Sequence, residues 1–354
     1  MTELADILKR RIAAQGPISL SDYMAECLLH PDHGYYATRD PFGRGGDFIT
    51  APEISQMFGE MIGLWLAQCW MDQGCPTPFT LAEPGPGRGT LMADILRVTA
   101  KVPGFLKAAN VHLIEASETL AGIQQERLGD HNVTWSDTID ALPQAPLFLV
   151  ANEFFDALPI RQFQRDEKGW REVQVALKDG ALSMGLSAPA PIAALDHRLG
   201  DTNPGDIVEF CPAAAPITAQ ISARIAAHGG AALILDYGDW RSLGDTFQAL
   251  RDHKPVDALA EPGLADLTAH VEFEAVAKAA VGLQVPQMTA QGVFLERLGI
   301  TARAQALAQK LRGEALENHI SAHRRLTHPQ EMGTLFKTLA LLPKGAPTPP
   351  GFAS

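Results

Sequence analysis

The sequence has little of what marks several protein classes. Its four cysteines form no CxxC pair, so a disulfide framework is not expected. Basic residues are outnumbered by acidic ones, 29 against 41, and this balance argues against a nucleic acid as partner because phosphate binding needs a basic face. The most apolar stretch, MIGLWLAQCWM at 61–71, is too short to span a bilayer and follows a helical pattern, so stable membrane insertion is not expected.

Targeting signals are also sparse at the start of the sequence. The first residues, MTELADILKRRIAAQG, contain acids and no apolar run of the kind found in signal peptides. A cytoplasmic location is therefore predicted.

The composition is that of a folded globular protein, with 46% hydrophobic and 20% charged residues in 354 positions. We predict an N-terminal helical cap with a glycine-rich lid loop at 1–75 and a core formed by 76–160 and 211–342. A β-rich insertion is predicted at 161–210, and a Pro-rich tail at 343–354.

The core region alternates between strand and helix patterns from about residue 79. The expected strands are FTLAEPG, VHLIEAS, VTWSD and APLFLVANEFF, and the helices between them include GTLMADILRVTAKV and SETLAGIQQERLG. Such alternation predicts a parallel, doubly wound α/β sheet of Rossmann-like type with helices on both faces. In the insertion, the pattern changes to hairpin-like alternation with a turn at 178–180.

A glycine-rich turn, EPGPGRG, follows the first of these strands. Its glycines, Gly85, Gly87 and Gly89, are spaced G-x-G-x-G, which departs from the G-x-G-x-x-G of dinucleotide-binding folds. Glu83 stands two residues before the first glycine, where its charge would oppose a pyrophosphate but suit an ammonium and a sulfonium group. The turn therefore favours S-adenosyl-L-methionine over NAD, and ligands of such sheets bind at this end of the strands.

Acidic residues end the next two strands as well. Glu115 follows VHLI, where a carboxylate can accept hydrogen bonds from both ribose hydroxyls, and Asp137 follows the third strand, where it can accept from an adenine amino group. The alternative for Glu115 is a helix N-terminal acid favoured by the helix dipole.

The segment NEFFDALP directly follows the apolar strand LFLVA. Asn152 is placed to meet the cofactor or the reacting centre, and Glu153 and Asp156 can face one pocket from a turn. Two carboxylates at this position are candidates to bind the group that receives the methyl. The alternatives are that Asp156 caps a turn and that Glu153 pairs with Arg161.

Two further patterns lie in the N-terminal region. The loop at 43–53 is predicted to fold over the cofactor, with Asp47, Thr50 and Pro52 near it, although an ordinary surface loop is the competing interpretation. The C-x2-H-x2-H spacing at 27–33 resembles a metal site, but the cysteine fits an apolar helix face and a fourth ligand is not evident, so no metal is expected.

Seven segments spread over about residues 18–340 together resemble the mitochondrial dysfunction protein A (MidA) type of methyltransferase. They are YMAECLLHPDHGYYATRDPFGRGGDFITAPEIS, LAEPGPGRGTLMADILR, NEFFDALPIRQF, LILDYG, DLTAHVEF, QGVFLERLGI and MGTLFKTLAL. GDFITAPEIS and NEFFDALP are the more specific segments. In DLTAHVEF, His270 either helps to shape the acceptor pocket or is a structural histidine.

The resemblance implies methylation of a protein arginine with S-adenosyl-L-methionine as donor, in the assembly of respiratory complex I. The expected partner is thus a protein with an acceptor arginine, such as a complex I subunit. The carboxylates of Glu153 and Asp156 would match the planar, permanently charged guanidinium group of that arginine. Without a mitochondrial presequence, the chain looks like a bacterial member. Two alternatives stay open: a methyltransferase for a small molecule, and a non-catalytic assembly factor that binds the cofactor.

Overall fold

The computed structural model describes residues 2–38 and 50–353, and these fall into two compact units. The first unit takes the described residues of Met1–Phe48, together with Asp156–Ala214 and Arg241–Glu272. The second takes those of Ile49–Phe155, Ala215–Trp240 and Phe273–Ser354.

The helices of the described residues are given in chain order. They are α1 (Glu3–Gln15), α2 (Leu20–Leu29), α3 (Tyr35–Thr38), α4 (Ala51–Ile54), α5 (Gln56–Asp72), α6 (Thr90–Thr99), α7 (Phe105–Ala108), α8 (Glu118–Leu128), α9 (Ala214–His228), α10 (Phe273–Ala279), α11 (Gln291–Arg297), α12 (Ile300–Ala308), α13 (Gly313–Thr327) and α14 (Met332–Leu335). None of them is long and apolar enough to cross a membrane.

The strands of the same residues follow the same order. They are β1 (Ile18–Ser19), β2 (Phe79–Pro84), β3 (Ala109–Ile114), β4 (Val133–Ser136), β5 (Leu147–Asn152), β6 (Arg161–Asp166), β7 (Gly169–Lys178), β8 (Ala181–Leu186), β9 (Ile207–Phe210), β10 (Gly230–Asp239), β11 (Gln248–Arg251), β12 (Lys254–Val256), β13 (Asp266–Thr268), β14 (Val271–Glu272), β15 (Leu283–Gln284), β16 (Thr289–Ala290) and β17 (Phe336–Pro343).

The second unit contains the predicted parallel sheet. Its strands run in the order β15-β17-β10-β5-β2-β3-β4, and β16 also pairs with β17. From β10 to β4 the neighbours are parallel, whereas β17 is antiparallel to β10. The first strand, β2, lies centrally, with β3 and β4 on one side and β5 and β10 on the other. The winding therefore reverses at β2, and ligands of such sheets bind at the carboxyl ends of the strands there.

The first unit is built on antiparallel strands. Its larger sheet has the order β1-β7-β6-β9, with β8 also paired to β7, and β11 lies between β12 and β13 in a smaller one. The predicted turn at 178–180 joins β7 to β8, with Asp179 and Gly180 at positive φ. Apolar faces of α1 and α2 pack in the core of this unit, where Leu8, Tyr23 and Val175 are buried.

The observed units group the chain differently from the predicted domain boundaries, which stay a prediction. The N-terminal segment is not only helical: Ile18 and Ser19 pair with Val175 and Gln174 of β7. That pairing places the N-terminal helices and the β-rich 161–210 segment in one unit.

A buried carboxylate joins three helices of the second unit. Glu60 on α5 accepts hydrogen bonds from Arg97 on α6 at 3.0 Å and from Arg303 on α12 at 2.7 and 2.9 Å. Burial favours the neutral acid, but the bonds from Arg303 and Arg97 outweigh burial and hold the pKa of Glu60 below its ordinary value. The carboxylate is 4% exposed, whereas both guanidinium groups are more than a third exposed.

We expect Glu60→Gln to lower the free energy of unfolding at pH 7 by about 1–3 kcal/mol, a range reduced because water screens the two arginines. A carboxylate with a lowered pKa stabilises the fold above its unfolded pKa, and this contribution is lost as the pH falls through the folded pKa. The difference between variant and wild type should thus shrink from pH 7 to pH 3 in urea unfolding. Glu314→Gln, on an exposed position of α13, is the control and should show no such difference.

Candidate functional site

The glycine-rich turn links β2 to α6 in the second unit. Gly85, Gly87 and Gly89 have φ values of 59°, 52° and 74°, a left-handed conformation that favours glycine. Gly89 precedes the first residue of α6 and has no side chain to cap the helix, whereas the Met92 N–H in the first turn donates to the Glu83 carboxyl group. The start of this helix therefore offers donors and a partial positive charge to a bound molecule.

Two acceptor oxygens stand at the carboxyl ends of neighbouring strands in this unit. Glu83 is the last residue but one of β2 and Asn152 is the last residue of β5, and they are 3% and 8% exposed. Among the described residues, neither Oε2 of Glu83 nor Oδ1 of Asn152 has a hydrogen-bond partner. Because buried polar atoms are normally paired, these two oxygens fit a ligand that brings its own donors.

Burial also changes the acidity of Glu83. It raises the pKa of this carboxyl from 4.5 to about 8, against the opposing effect of a hydrogen bond from the Met92 backbone. Glu83 is therefore mostly neutral at pH 7 when nothing is bound, and a cationic ligand would favour its ionised form.

Glu115 follows β3 and is held by two donors. Its Oε1 accepts from the Ser117 N–H at 2.8 Å, and its Oε2 accepts from Gln124 at 3.1 Å. Burial raises the pKa of Glu115, and these hydrogen bonds act in the opposite direction. A carboxylate has further lone pairs, so it can still accept from a pair of hydroxyl groups.

Glu153 has an unusual backbone conformation directly after β5. Its φ is 50°, which is costly for a residue with a long side chain and is often found at functional sites. Its Oε1 accepts from Asn152 Nδ2 and from the Ala51 N–H, both at 3.0 Å. Glu153 thus also holds the first turn of α4.

The short helix α4 brings two predicted residues and one unpredicted one into this unit. Thr50 precedes the helix, and Pro52 is buried in its first turn. Glu53 accepts a hydrogen bond from Thr90 Oγ1 at the start of α6. Because Thr90 directly follows Gly89, this hydrogen bond links α4 to the glycine turn. The Ala51 N–H links the same helix to Glu153.

Other site residues were not predicted from the sequence. Gln124 on α8 contacts Glu115 and also donates to the carbonyl oxygen of Gly87 at 2.8 Å. Asp236, near the end of β10 and fully buried, accepts from the Phe155 N–H at 2.9 Å. The sequence indicated Asp236 only through the family segment LILDYG, and no motif indicated Gln124.

Two predicted acceptor residues belong to the first unit. Asp156 is buried, and its carbonyl oxygen accepts from the Ala269 N–H at 3.1 Å. The next residue, His270, donates its backbone N–H to Thr246 Oγ1 at 2.8 Å. The structure therefore brings the segments of Asp156 and His270 together. Arg161, the alternative partner for Glu153, makes a bidentate ion pair with Glu172 in the same unit.

Of the two remaining predicted residues, one is exposed and the other lies outside the described residues. Asp137 directly follows β4 and is exposed. Asp47 lies outside the described residues, together with positions 43–49 of the predicted lid loop.

Comparison with known proteins gives consistent matches. Residues 61–289 match a family model described as S-adenosyl-L-methionine-dependent methyltransferase. The chain is 38% identical over 373 residues to protein arginine methyltransferase NDUFAF7, mitochondrial, of Homo sapiens, covering 97% of this chain and 84% of that protein. The Drosophila melanogaster homologue is 38% identical over 375 residues, with 96% and 85% covered.

A solved structure extends the likeness to the fold. A crystal structure of a Burkholderia thailandensis protein bound to S-adenosyl-homocysteine matches this chain with a TM-score of 0.83 and 31% identity. The match covers 98% of this chain and 93% of that one. The expected methyltransferase fold and the family resemblance are confirmed.

The prediction of a cytoplasmic location is wrong by the same comparison. The curated relatives from Homo sapiens, Danio rerio and Drosophila melanogaster are all named as mitochondrial proteins. The prediction rests on the first residues of the sequence alone, and so short a segment gives little information about the location of a protein.

Proposed function

The chain belongs to the S-adenosyl-L-methionine-dependent methyltransferases, and we propose that it methylates an arginine side chain of a protein substrate. The observation that supports binding of the methyl donor is the pair of buried acceptor oxygens on Glu83 and Asn152, which suit the ammonium group of the cofactor. The names of the curated relatives support the choice of arginine.

The cofactor supplies an activated methyl group bound to a sulfonium. Glu83 and Asn152 would hold the amino end of its methionine part, and Glu115 would accept from its ribose hydroxyls. The glycine turn lets backbone approach the ligand, because these positions carry no Cβ. The other predicted cofactor residues are Asp47, Thr50, Pro52 and Asp137.

The acceptor is proposed to lie against Glu153, and Asp156 and His270 remain the other predicted acceptor residues. A carboxylate orients a guanidinium through paired, charge-assisted hydrogen bonds and aims one nitrogen at the methyl carbon. A bond then forms between that nitrogen and the methyl carbon as the bond from carbon to sulfur breaks. The proton displaced from the guanidinium nitrogen leaves to water. The proposed substrate protein is a subunit of respiratory complex I.

The test of the proposal is a transfer assay with labelled S-adenosyl-L-methionine and protein substrates, followed by mass spectrometry of the modified residue. We expect the label on arginine. Lysine should be a poor acceptor, because its ammonium is a point charge without the fork geometry of a guanidinium. A methyl group found on lysine, on a carboxylate or on a small molecule would contradict the arginine assignment.

Binding of the cofactor product should release a proton. At pH 6.5 Glu83 is nearly fully protonated, since burial raises its pKa to about 8, and a bound ammonium group would ionise it. Calorimetry with S-adenosylhomocysteine in buffers of different ionisation enthalpy should show release of about one proton at pH 6.5, falling toward zero above pH 9. In Glu83→Gln the release should disappear. Equal proton release by wild type and variant would remove Glu83 from the amino-group site.

A further inference from the structure

One buried amide in the second unit connects three of the strand ends that form the cofactor site. Gln124 on α8 is fully buried. Its Nε2 donates to the Gly87 carbonyl oxygen at 2.8 Å and to Glu115 Oε2 at 3.1 Å, and its Oε1 accepts from Trp135 Nε1 at 2.8 Å. Gly87 follows β2, Glu115 follows β3, and Trp135 lies in β4.

The indole fixes which way the amide points. Trp135 Nε1 is a donor only, so it requires the oxygen of the amide and turns the NH2 group toward Glu115 and Gly87. No other side chain of similar size satisfies all three contacts. A glutamate would place a second carboxylate against Glu115, and a lysine has no acceptor for the indole.

The consequence for Glu115 is a fixed carboxylate. Ser117 holds one oxygen from the backbone, and Gln124 holds the other. The plane of the carboxylate is thereby set, and its remaining lone pairs point in defined directions. Two vicinal hydroxyls are recognised best by an acceptor pair that does not have to be ordered on binding.

We propose that Gln124 is a positioning residue that sets the selectivity of this site for the vicinal hydroxyls of a ribose. The proposal rests on the proposed function, because it assigns the ribose of S-adenosyl-L-methionine to Glu115. Gln124 acts through Glu115 and through the turn at Gly87, without contact to the reacting atoms.

The test compares two ligands, S-adenosylhomocysteine and its 2′-deoxy analogue, by calorimetry on the full chain. Wild type should bind the first roughly tenfold more tightly, the usual effect of one hydrogen bond to a charged group. Gln124→Met keeps the side-chain volume but removes all three hydrogen bonds. It should weaken binding of S-adenosylhomocysteine by roughly five- to thirtyfold and weaken the analogue much less, so that the ratio falls by threefold or more.

A matched control comes from the same helix. Leu128→Ala on α8 removes buried apolar contacts and lowers stability without touching the polar network. Its ratio of affinities should equal that of wild type. A loss of selectivity of the same size in Leu128→Ala would show that any loosening of the helix is enough, and would overturn the proposal.

The remaining outcomes are also decisive. An unchanged ratio in Gln124→Met, or an equal loss for both ligands, overturns the role of Gln124 and leaves the proposed function intact. If wild type binds neither ligand, the cofactor site itself is misassigned, and both proposals fail. If Gln124→Met does not fold, Trp135→Phe is the second variant, because it removes only the donor that orients the amide. We expect its ratio of affinities for the two ligands to lie between that of wild type and a ratio of one. An unchanged ratio in Trp135→Phe overturns the proposal.

Discussion

Replacement of Glu153 by glutamine is expected to slow methyl transfer by roughly thirty- to a thousandfold while S-adenosylhomocysteine affinity changes little. Glutamine retains one carbonyl oxygen, which can still accept from the Ala51 N–H and from Asn152 Nδ2. It loses the negative charge and the bidentate match to a guanidinium. The substitution therefore separates the proposed contact with the acceptor from the structural role of Glu153 at α4.

The measurement is single-turnover methyl transfer to an arginine-containing substrate, with calorimetry of S-adenosylhomocysteine beside it. Asp94→Asn is the matched control, since this carboxylate lies on α6, pairs with Arg97, and is not assigned to the acceptor. It should retain nearly full activity. A fully active Glu153→Gln protein would refute the proposed clamp and move the acceptor site elsewhere.

Replacement of Glu83 by glutamine should affect ligand binding and stability in opposite directions. Affinity for S-adenosylhomocysteine should fall roughly ten- to a hundredfold, because a charge-assisted contact to the ammonium group is lost. The variant resembles the neutral acid that wild type holds at pH 7, so the free fold should not be weakened.

The stability effect has a definite sign with pH. A carboxyl whose pKa is raised from 4.5 to about 8 in the folded protein stabilises it below the unfolded pKa, and that contribution is lost as the pH rises through 8. Glu83→Gln has no such loss. Its free energy of unfolding should therefore exceed that of wild type by a margin that grows from pH 5 to pH 8, on the order of a few kcal/mol, and then levels off.

Urea unfolding at pH 5, 7 and 8.5, with and without S-adenosylhomocysteine, measures both effects. Glu209→Gln, a buried acid of the first unit, is the control and should leave the ligand affinity unchanged. A variant that binds the ligand as tightly as wild type would contradict the assignment of Glu83. If the excess free energy of unfolding of Glu83→Gln over wild type became smaller as the pH rises, the raised pKa of Glu83 would be contradicted.

The sequence predicted the strand ends of the site better than the contacts between them. Glu83, Glu115 and Asn152 follow apolar runs, and a polar residue at that point is visible in any strand pattern. Gln124 lies in the middle of α8, and only the rotation of the helix against the sheet turns it toward Glu115. Asp236 meets the backbone of Phe155 through the pairing of β10 with β5, which is a long-range contact.

The antiparallel first unit shows the same limit. The hairpin from β7 to β8 is local and was predicted from alternation and a turn. The strands β11–β13 were not predicted, because three or four residues give too little periodicity to detect. The pairing of Ile18 with Val175 joins distant parts of the chain, and no sequence pattern near residue 18 indicates it.

That pairing has a consequence for biosynthesis. The first unit takes its residues from three separate stretches, the last of which ends at Glu272. At 5–20 residues per second, the ribosome needs roughly 8–30 s to proceed from Ile18 to Val175, the partner of β1. During that time the apolar faces of α1 and α2 are without the strand partners that cover them in the finished protein. Chaperones that bind nascent chains therefore have the longest time to bind the N-terminal helices. Translation that stops before residue 272 leaves this unit incomplete.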